Sequence, residues 1–312
     1  MRIIKVVLAL IIIFILASIG FLYLAPEKAT KMAINMERER SGLMRKEINL
    51  PGDLHYVYLE GGQGEPLMLL HGFGADKDNF TRAARFLTPH YRVIIPDHIG
   101  FGESSHPQDA NYSAGVQAAR IRTLAKALGI TKLHLGGSSM GGQISMMYAA
   151  LYPDEVKSLW LLNPGGIWSA PQSELKKIIS TTGENPLMAK NEDEFSKTFA
   201  FVMADPPFIP RPMLNVMARE RIRNYELEKR ILKEIASDSA EKYVTGLKTP
   251  TLIVFGEKDR VINPASAEIL HKLMPRSEVT IMKGIGHLPM IEQPRKSAED
   301  YLKFRASLDL TK

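Results

Sequence analysis

Hydrophobic and polar positions fall into three regimes along the chain. The first is residues 6–24, 19 positions without a charge, preceded by Arg2 and Lys5. As a helix this run spans roughly 28 Å at about 1.5 Å per residue, close to a bilayer core of about 30 Å. It predicts an uncleaved transmembrane anchor over residues 1–25. A cleaved signal peptide is the rival reading, and a buried core helix the third. Ser18-Ile19-Gly20 is a weak cleavage site, and Phe21, Leu22, Tyr23 and Leu24 prolong the apolar run beyond it. Pro26 ends or kinks the helix, because it lacks an N–H and clashes with the preceding turn.

The second regime, residues 26–46, is rich in charge and in helix formers. Met32, Met36 and Leu43 fall on one helical face over the stretch from Glu27 to Glu47. The pattern predicts an amphipathic juxtamembrane helix lying at the interface, with a solvated connector as the alternative.

From residue 47 the period shortens. Apolar runs at 47–50, 54–60, 67–70, 92–95, 132–135, 157–162, 251–255 and 278–282 read as strands. The first two form a hairpin joined by Pro51-Gly52-Asp53. Helical segments at 79–87, 113–128, 140–151, 264–273 and 295–307 alternate with the later strands. Such alternation predicts an α/β fold, a mostly parallel eight-stranded sheet flanked by helices on both faces. Ligands in such folds lie beyond the carboxyl ends of the strands. The core divides into residues 47–166 and 246–312. Between them, residues 167–245 read as helices only, broken by four prolines in the eight residues 205–212. This predicts a helical cap or lid. Its large apolar side chains, Trp168, Phe195, Phe199, Phe201, Phe208 and Met213 among them, serve mainly as its own core, with some expected to line an apolar channel.

Charge narrows the partners. The net charge is +6, of which +4 lies in residues 1–47 beside the apolar run. No basic stripe marks the folded part, so nucleic acid is not an expected partner; a membrane surface is. Lys and Arg flank both ends of the apolar run, so the positive-inside rule does not choose an orientation. Cysteine is absent, which excludes disulfides, thiolate metal sites and a cysteine nucleophile. No histidine or carboxylate spacing suggests a metal, no phosphate loop occurs, and no cofactor is expected.

The chemistry gathers in a few short segments. Gly137-Ser138-Ser139-Met140-Gly141 holds the pattern G-x-S-x-G between a β-like run and a helical run. That is the strand–elbow–helix setting in which a serine hydroxyl is lifted clear of a sheet. Ser139 is the candidate nucleophile. Ser138 would be flanked by Gly136 and the bulky Met140. Serine needs a base. His287, in Gly284-Ile285-Gly286-His287-Leu288-Pro289, follows the last strand and is the candidate. An imidazole base needs a carboxylate to hold its tautomer. Asp259 follows the strand at 251–255 and fills that role, with Glu257 as local rival; Asp97 is expected to stabilise a nearby loop. The oxyanion of an acyl-transfer intermediate needs preorganised N–H donors. Those of Met140 and of Phe73, in Leu69-Leu70-His71-Gly72-Phe73-Gly74-Ala75, are the candidates, and His71 is expected to be structural.

The chain order Ser139, Asp259, His287, with His71-Gly72-Phe73-Gly74 upstream, resembles the α/β-hydrolase superfamily over roughly residues 47–312. The insertion then corresponds to that superfamily's cap. The segments 71–82 and 157–163 are similar to bacterial membrane-associated lipases and phospholipases A and to mammalian membrane-anchored monoacylglycerol lipases. Ser138 departs from that group, which often has Asn or Thr before the nucleophile. The resemblance implies a membrane-anchored serine ester hydrolase that releases fatty acids from acylglycerols or (lyso)phospholipids. The catalytic domain is further expected on the periplasmic side of a bacterial inner membrane, with a homodimer through the N-terminal helix as an expected partner. The alternatives are a carbon–carbon bond hydrolase or general esterase acting on soluble substrates and, from another class, a non-catalytic lipid-binding protein.

Overall fold

The computed structural model describes residues 2–52 and 54–310. Two helices lead the chain. Helix α1 (Arg2–Leu24) has no buried residue, and α2 (Pro26–Arg40) follows after Ala25, with Pro26 at its first position, where a missing N–H costs nothing. By length and composition α1 is able to cross a membrane.

The expected single helix from Glu27 to Glu47 is corrected. Helix α2 stops at Arg40, Gly42 takes φ +65°, and strand β1 (Leu43–Leu50) begins at Leu43. Leu43 therefore leaves the helical face of Met32 and Met36 and is buried against the sheet. Its neighbours Met44, Arg45 and Lys46 mix charge with apolar character, which hid the strand. Strand β1 pairs antiparallel with β2 (Leu54–Gly61), Leu50 opposite Leu54. Asp53 of the expected turn lies outside the described residues.

The remaining strands are β3 (Pro66–Leu70), β4 (Arg92–Pro96), β5 (Leu133–Ser138), β6 (Val156–Leu162), β7 (Thr251–Gly256) and β8 (Ser277–Met282). The sheet order is β1-β2-β4-β3-β5-β6-β7-β8, and every pair from β4 to β8 is parallel. Helices α3 (Thr81–Ala84), α4 (Ala114–Ala127), α5 (Met140–Leu151), α11 (Ser266–Leu273), α12 (Pro289–Glu292) and α13 (Pro294–Asp309) accompany this core. The segment expected to form the cap, called the cap below, comprises α6 (Glu174–Thr182), α7 (Glu192–Val202), α8 (Arg211–Arg223), α9 (Tyr225–Ile235) and α10 (Glu241–Val244).

Strand periodicity divides the interior into two layers. Met68 and Leu70 face one apolar cluster with Ile121 of α4 and Ile144 of α5; Leu67 and Leu69 face the other, with Trp160 and Tyr301. Trp160 stacks on Tyr301 at 5.0 Å between ring centroids. Leu227 and Ile231 of α9 join the first layer, so the cap shares the main core there. Elsewhere it has small clusters of its own, one built on Phe195, Leu214 and Ala218. Phe208, among the prolines, is 92% exposed.

Candidate active site

The carboxyl ends of β3, β5, β6, β7 and β8 meet at one edge of the sheet. Ser139 stands between β5 and α5 with φ 53° and ψ −116°, one of two non-glycine residues with positive φ among the described residues. Such a backbone costs on the order of 1–3 kcal/mol and persists only where neighbours over-determine it. They do so here. The Ser139 N–H donates to Leu162 O at 3.0 Å, and its carbonyl accepts from Gln143 and Gly165. A Cβ on Gly137 would lie 2.2 Å from Gly141 O, and one on Gly141 would lie 2.1 Å from Leu70 O. Only glycine fits either place. Ser139 is partly exposed, whereas Ser138 is buried with its hydroxyl unpartnered among the described residues. The accessible hydroxyl is that of Ser139.

The turn after β3 lies against this elbow. A Cβ on Gly72 would sit 3.2 Å from Ser139 Cβ and 3.8 Å from its Oγ. The Ala75 N–H donates to Gly72 O at 3.3 Å, and Gly74 takes φ +66°, the left-handed position such a turn needs. His71 is fully buried. Its Nδ1 is 2.8 Å from Gly72 O, and its Nε2 accepts from the His98 N–H at 3.0 Å, which sets the proton on Nδ1. Burial holds this imidazole well below the ordinary histidine range, at about 4, so it stays neutral. His71 builds the turn. Met140 opens α5, so its N–H has no acceptor within the helix and points with the positive end of the helix dipole.

His287 follows β8, buried, with Nδ1 2.8 Å from Asp259 Oδ2. Asp259 is itself held. Its Oδ1 accepts from the N–H groups of Val261 at 2.7 Å and Ile262 at 3.0 Å, and its Oδ2 also accepts from Asn163 Nδ2. Four donors, His287 among them, hold this carboxylate and aim it. The rival Glu257 instead accepts from the Gly284 N–H. Asp97 takes both the backbone N–H and the Nζ of Lys77 at 2.7 Å and the Glu103 N–H at 2.8 Å, so it stabilises the loops beneath the turn.

Two residues that carry no local signal complete the frame. Asn163, at the end of β6 with φ 45°, donates to Asp259 and to Gly286 O and accepts from the Gly256 N–H. One amide thereby ties the loops after β6, β7 and β8 together. Asn is among the few residues that tolerate the left-handed region, which is the only hint its type offers. The Glu292 carboxylate collects the N–H groups of Gly286 and Leu288 beside His287, and of Ala204 and Asp205 in the cap. The His287 N–H donates to Val202 O at the end of α7, at 2.9 Å. The cap is thus stitched to the histidine loop through backbone groups.

The comparisons with known proteins agree with this architecture. The family model of the α/β hydrolase fold matches residues 65–294. Lipase 1 of Psychrobacter immobilis is 44% identical over 90% of this chain and 90% of its own. Monoacylglycerol lipase ABHD6 of Homo sapiens is 28% identical over 80% of this chain and 78% of its own. The crystal structure of a membrane phospholipase A superposes with a TM-score of 0.88 at 36% identity, covering 99% of both chains.

Proposed function

The chain belongs to the α/β hydrolase fold family, and from that premise we propose that it is a membrane-anchored serine hydrolase of lipid esters. The observation that carries the mechanism is the His287–Asp259 pair at 2.8 Å, at the same sheet edge as the strained Ser139 elbow and the Gly72 turn. Ser139 Oγ attacks the acyl carbonyl while His287 Nε2 takes its proton. Asp259 accepts from Nδ1–H and stabilises the imidazolium. The N–H groups of Phe73 and Met140 receive the oxyanion. The tetrahedral intermediate expels the alcohol, which leaves with the proton from His287. Water then gives its proton to His287 and attacks the acyl-enzyme, and collapse releases the fatty acid and restores Ser139.

The lipase, monoacylglycerol lipase and phospholipase A relatives support acylglycerols or phospholipids as the substrate class. Helix α1 supports a site held at a bilayer. A fluorophosphonate probe tests the nucleophile. The full-length chain in detergent is expected to be labelled once, and Ser139→Ala not at all. Monoacylglycerols, lysophospholipids and short-chain esters assayed side by side rank the head groups. A Ser139→Ala protein with near-normal turnover would overturn the reading.

A further inference from the structure

The turn that carries Phe73 is held from below by His71 and from above by the cap. Arg221, on α8, is 9% exposed. Its Nε donates to Glu228 Oε2 at 2.7 Å, its Nη1 to Gly74 O at 2.9 Å, and its Nη2 to Leu187 O at 2.8 Å. The guanidinium also lies over the Phe73 ring, 5.4 Å from its centroid. One planar fork therefore joins two cap helices, a cap loop and the turn after β3, using three directions that a lysine cannot supply together. A Cβ on Gly74 would fall 2.0 Å from Arg221 Nη1, so a side chain there would displace the guanidinium from the turn.

We propose that Arg221 is a positioning residue for the oxyanion site, aligning the Phe73 N–H from the cap through the Gly74 carbonyl. This rests on the serine hydrolase reading above. A turn clamped at Gly72 O by His71 and at Gly74 O by Arg221 has the peptide between Gly72 and Phe73 fixed from both sides. Preorganised donors stabilise a transition state because they need no reorganisation when charge develops. Without Arg221 the turn keeps its Ala75–Gly72 bond and loses the upper clamp. The cap then supplies part of the catalytic geometry as well as covering the site. Loss of the clamp should weaken binding of the transition state and leave ground-state binding nearly unchanged.

The test uses the full-length chain in detergent with a soluble short-chain ester and a trifluoromethyl ketone, which forms a tetrahedral oxyanion on Ser139. Active sites are counted by fluorophosphonate labelling carried to completion. Arg221→Met is expected to lower kcat per labelled site at least ten-fold and to weaken the ketone by a similar factor, with KM within about three-fold. Arg221→Lys, which keeps the charge but has a single nitrogen that cannot reach all three acceptors at once, should fall between. Arg211→Ala, on the same helix but exposed and paired with Asp193, should leave both constants unchanged. If kcat and ketone affinity hold within two-fold in Arg221→Met, or within two-fold in Arg221→Lys where the methionine variant does not fold, the proposal is wrong. A fall in kcat with unchanged ketone affinity also overturns it. An unlabelled, inactive wild-type chain would instead overturn the hydrolase reading on which it rests.

Discussion

At the scale of single residues, the site is a set of groups that each work by holding another. In the proposed mechanism Ser139 depends on His287; His287 is held by Asp259, and Asp259 by Asn163 and two backbone N–H groups. His287→Ala and Asp259→Asn are each expected to lower kcat by roughly 10⁴-fold, as comparable triads do, and the double variant by little more. Asn163→Ala removes one of four donors to Asp259 and should lower kcat by about ten-fold with KM nearly unchanged; a larger change in KM than in kcat would refute the role. Ser139, His287 and Asp259 could be picked out as candidates because each sits in a short motif whose chemistry is local. Asn163, Glu292 and Arg221 could not be, because their partners lie far off in the chain: 87 and 88 residues away for Glu292 in the cap, 96 for Asn163 and 147 for Arg221. Beneath the turn, His98 is fully buried, its ring nitrogens are unpartnered among the described residues, and its ring lies 4.6 Å from that of His71. Burial, and then the neighbouring His71, push its pKa well below the ordinary 6.5. As pH falls below 6.5 the unfolded chain takes up a proton that the folded chain refuses, so stability present above that pH is lost. His98→Phe removes this contribution. Denaturant midpoints at pH 7 and pH 5 should show a smaller loss for the variant than for wild type, and equal losses would refute the argument.

At the scale of elements, the elbow works because β3, β5 and α5 approach more closely than side chains allow. The Gly137 and Gly141 positions face backbone atoms, which cannot rotate away as a side chain does. Gly141→Ala should therefore cost about 2–3 kcal/mol, the upper part of the range for overpacking, read as a fall in the urea midpoint at unchanged m. A change below about 0.5 kcal/mol would mean that the junction yields. The parallel strands and α5 were readable because their periods are clean and their ends carry turn residues. The α2–β1 boundary was not. Residues 43–47 alternate weakly, and only tertiary pairing with β2 makes them a strand, Leu43 opposite Gly61 and Glu47 opposite Val57. The short α12, which presents Glu292, was missed because four residues are too few for a helical period to register.

At the scale of the whole molecule, chemistry and location separate along the chain. The proposed catalytic groups lie within residues 73–287, and α1 contributes none of them. Its apolar residues favour insertion by roughly 0.3–0.6 kcal/mol for each central Leu, Ile, Val or Phe. The full-length chain should resist carbonate and high salt and require detergent. Helix α2 is also tied to the folded domain. Arg38 makes two bonds to Asp78, at 2.7 and 2.5 Å, and Glu27 pairs with Arg219 on α8 at 2.5 Å. Met32 and Met36 stay exposed on its outer side. A chain beginning at Pro26 should thus leave the membrane fraction, keep its thermal midpoint within a few degrees and hydrolyse a soluble short-chain ester at near-native kcat. A chain beginning at Gly42 loses the Arg38–Asp78 pair and the packing of α2 on α8, the helix that carries Arg221. It should melt lower than the chain from Pro26, and its kcat per labelled serine should fall as the clamp on the Phe73 turn loosens. Equal melting and equal kcat in the two shortened chains would make α2 a connector only. Recovery of the native protein as a soluble chain starting near Phe21 would make the first 20 residues a cleaved signal and remove the anchor.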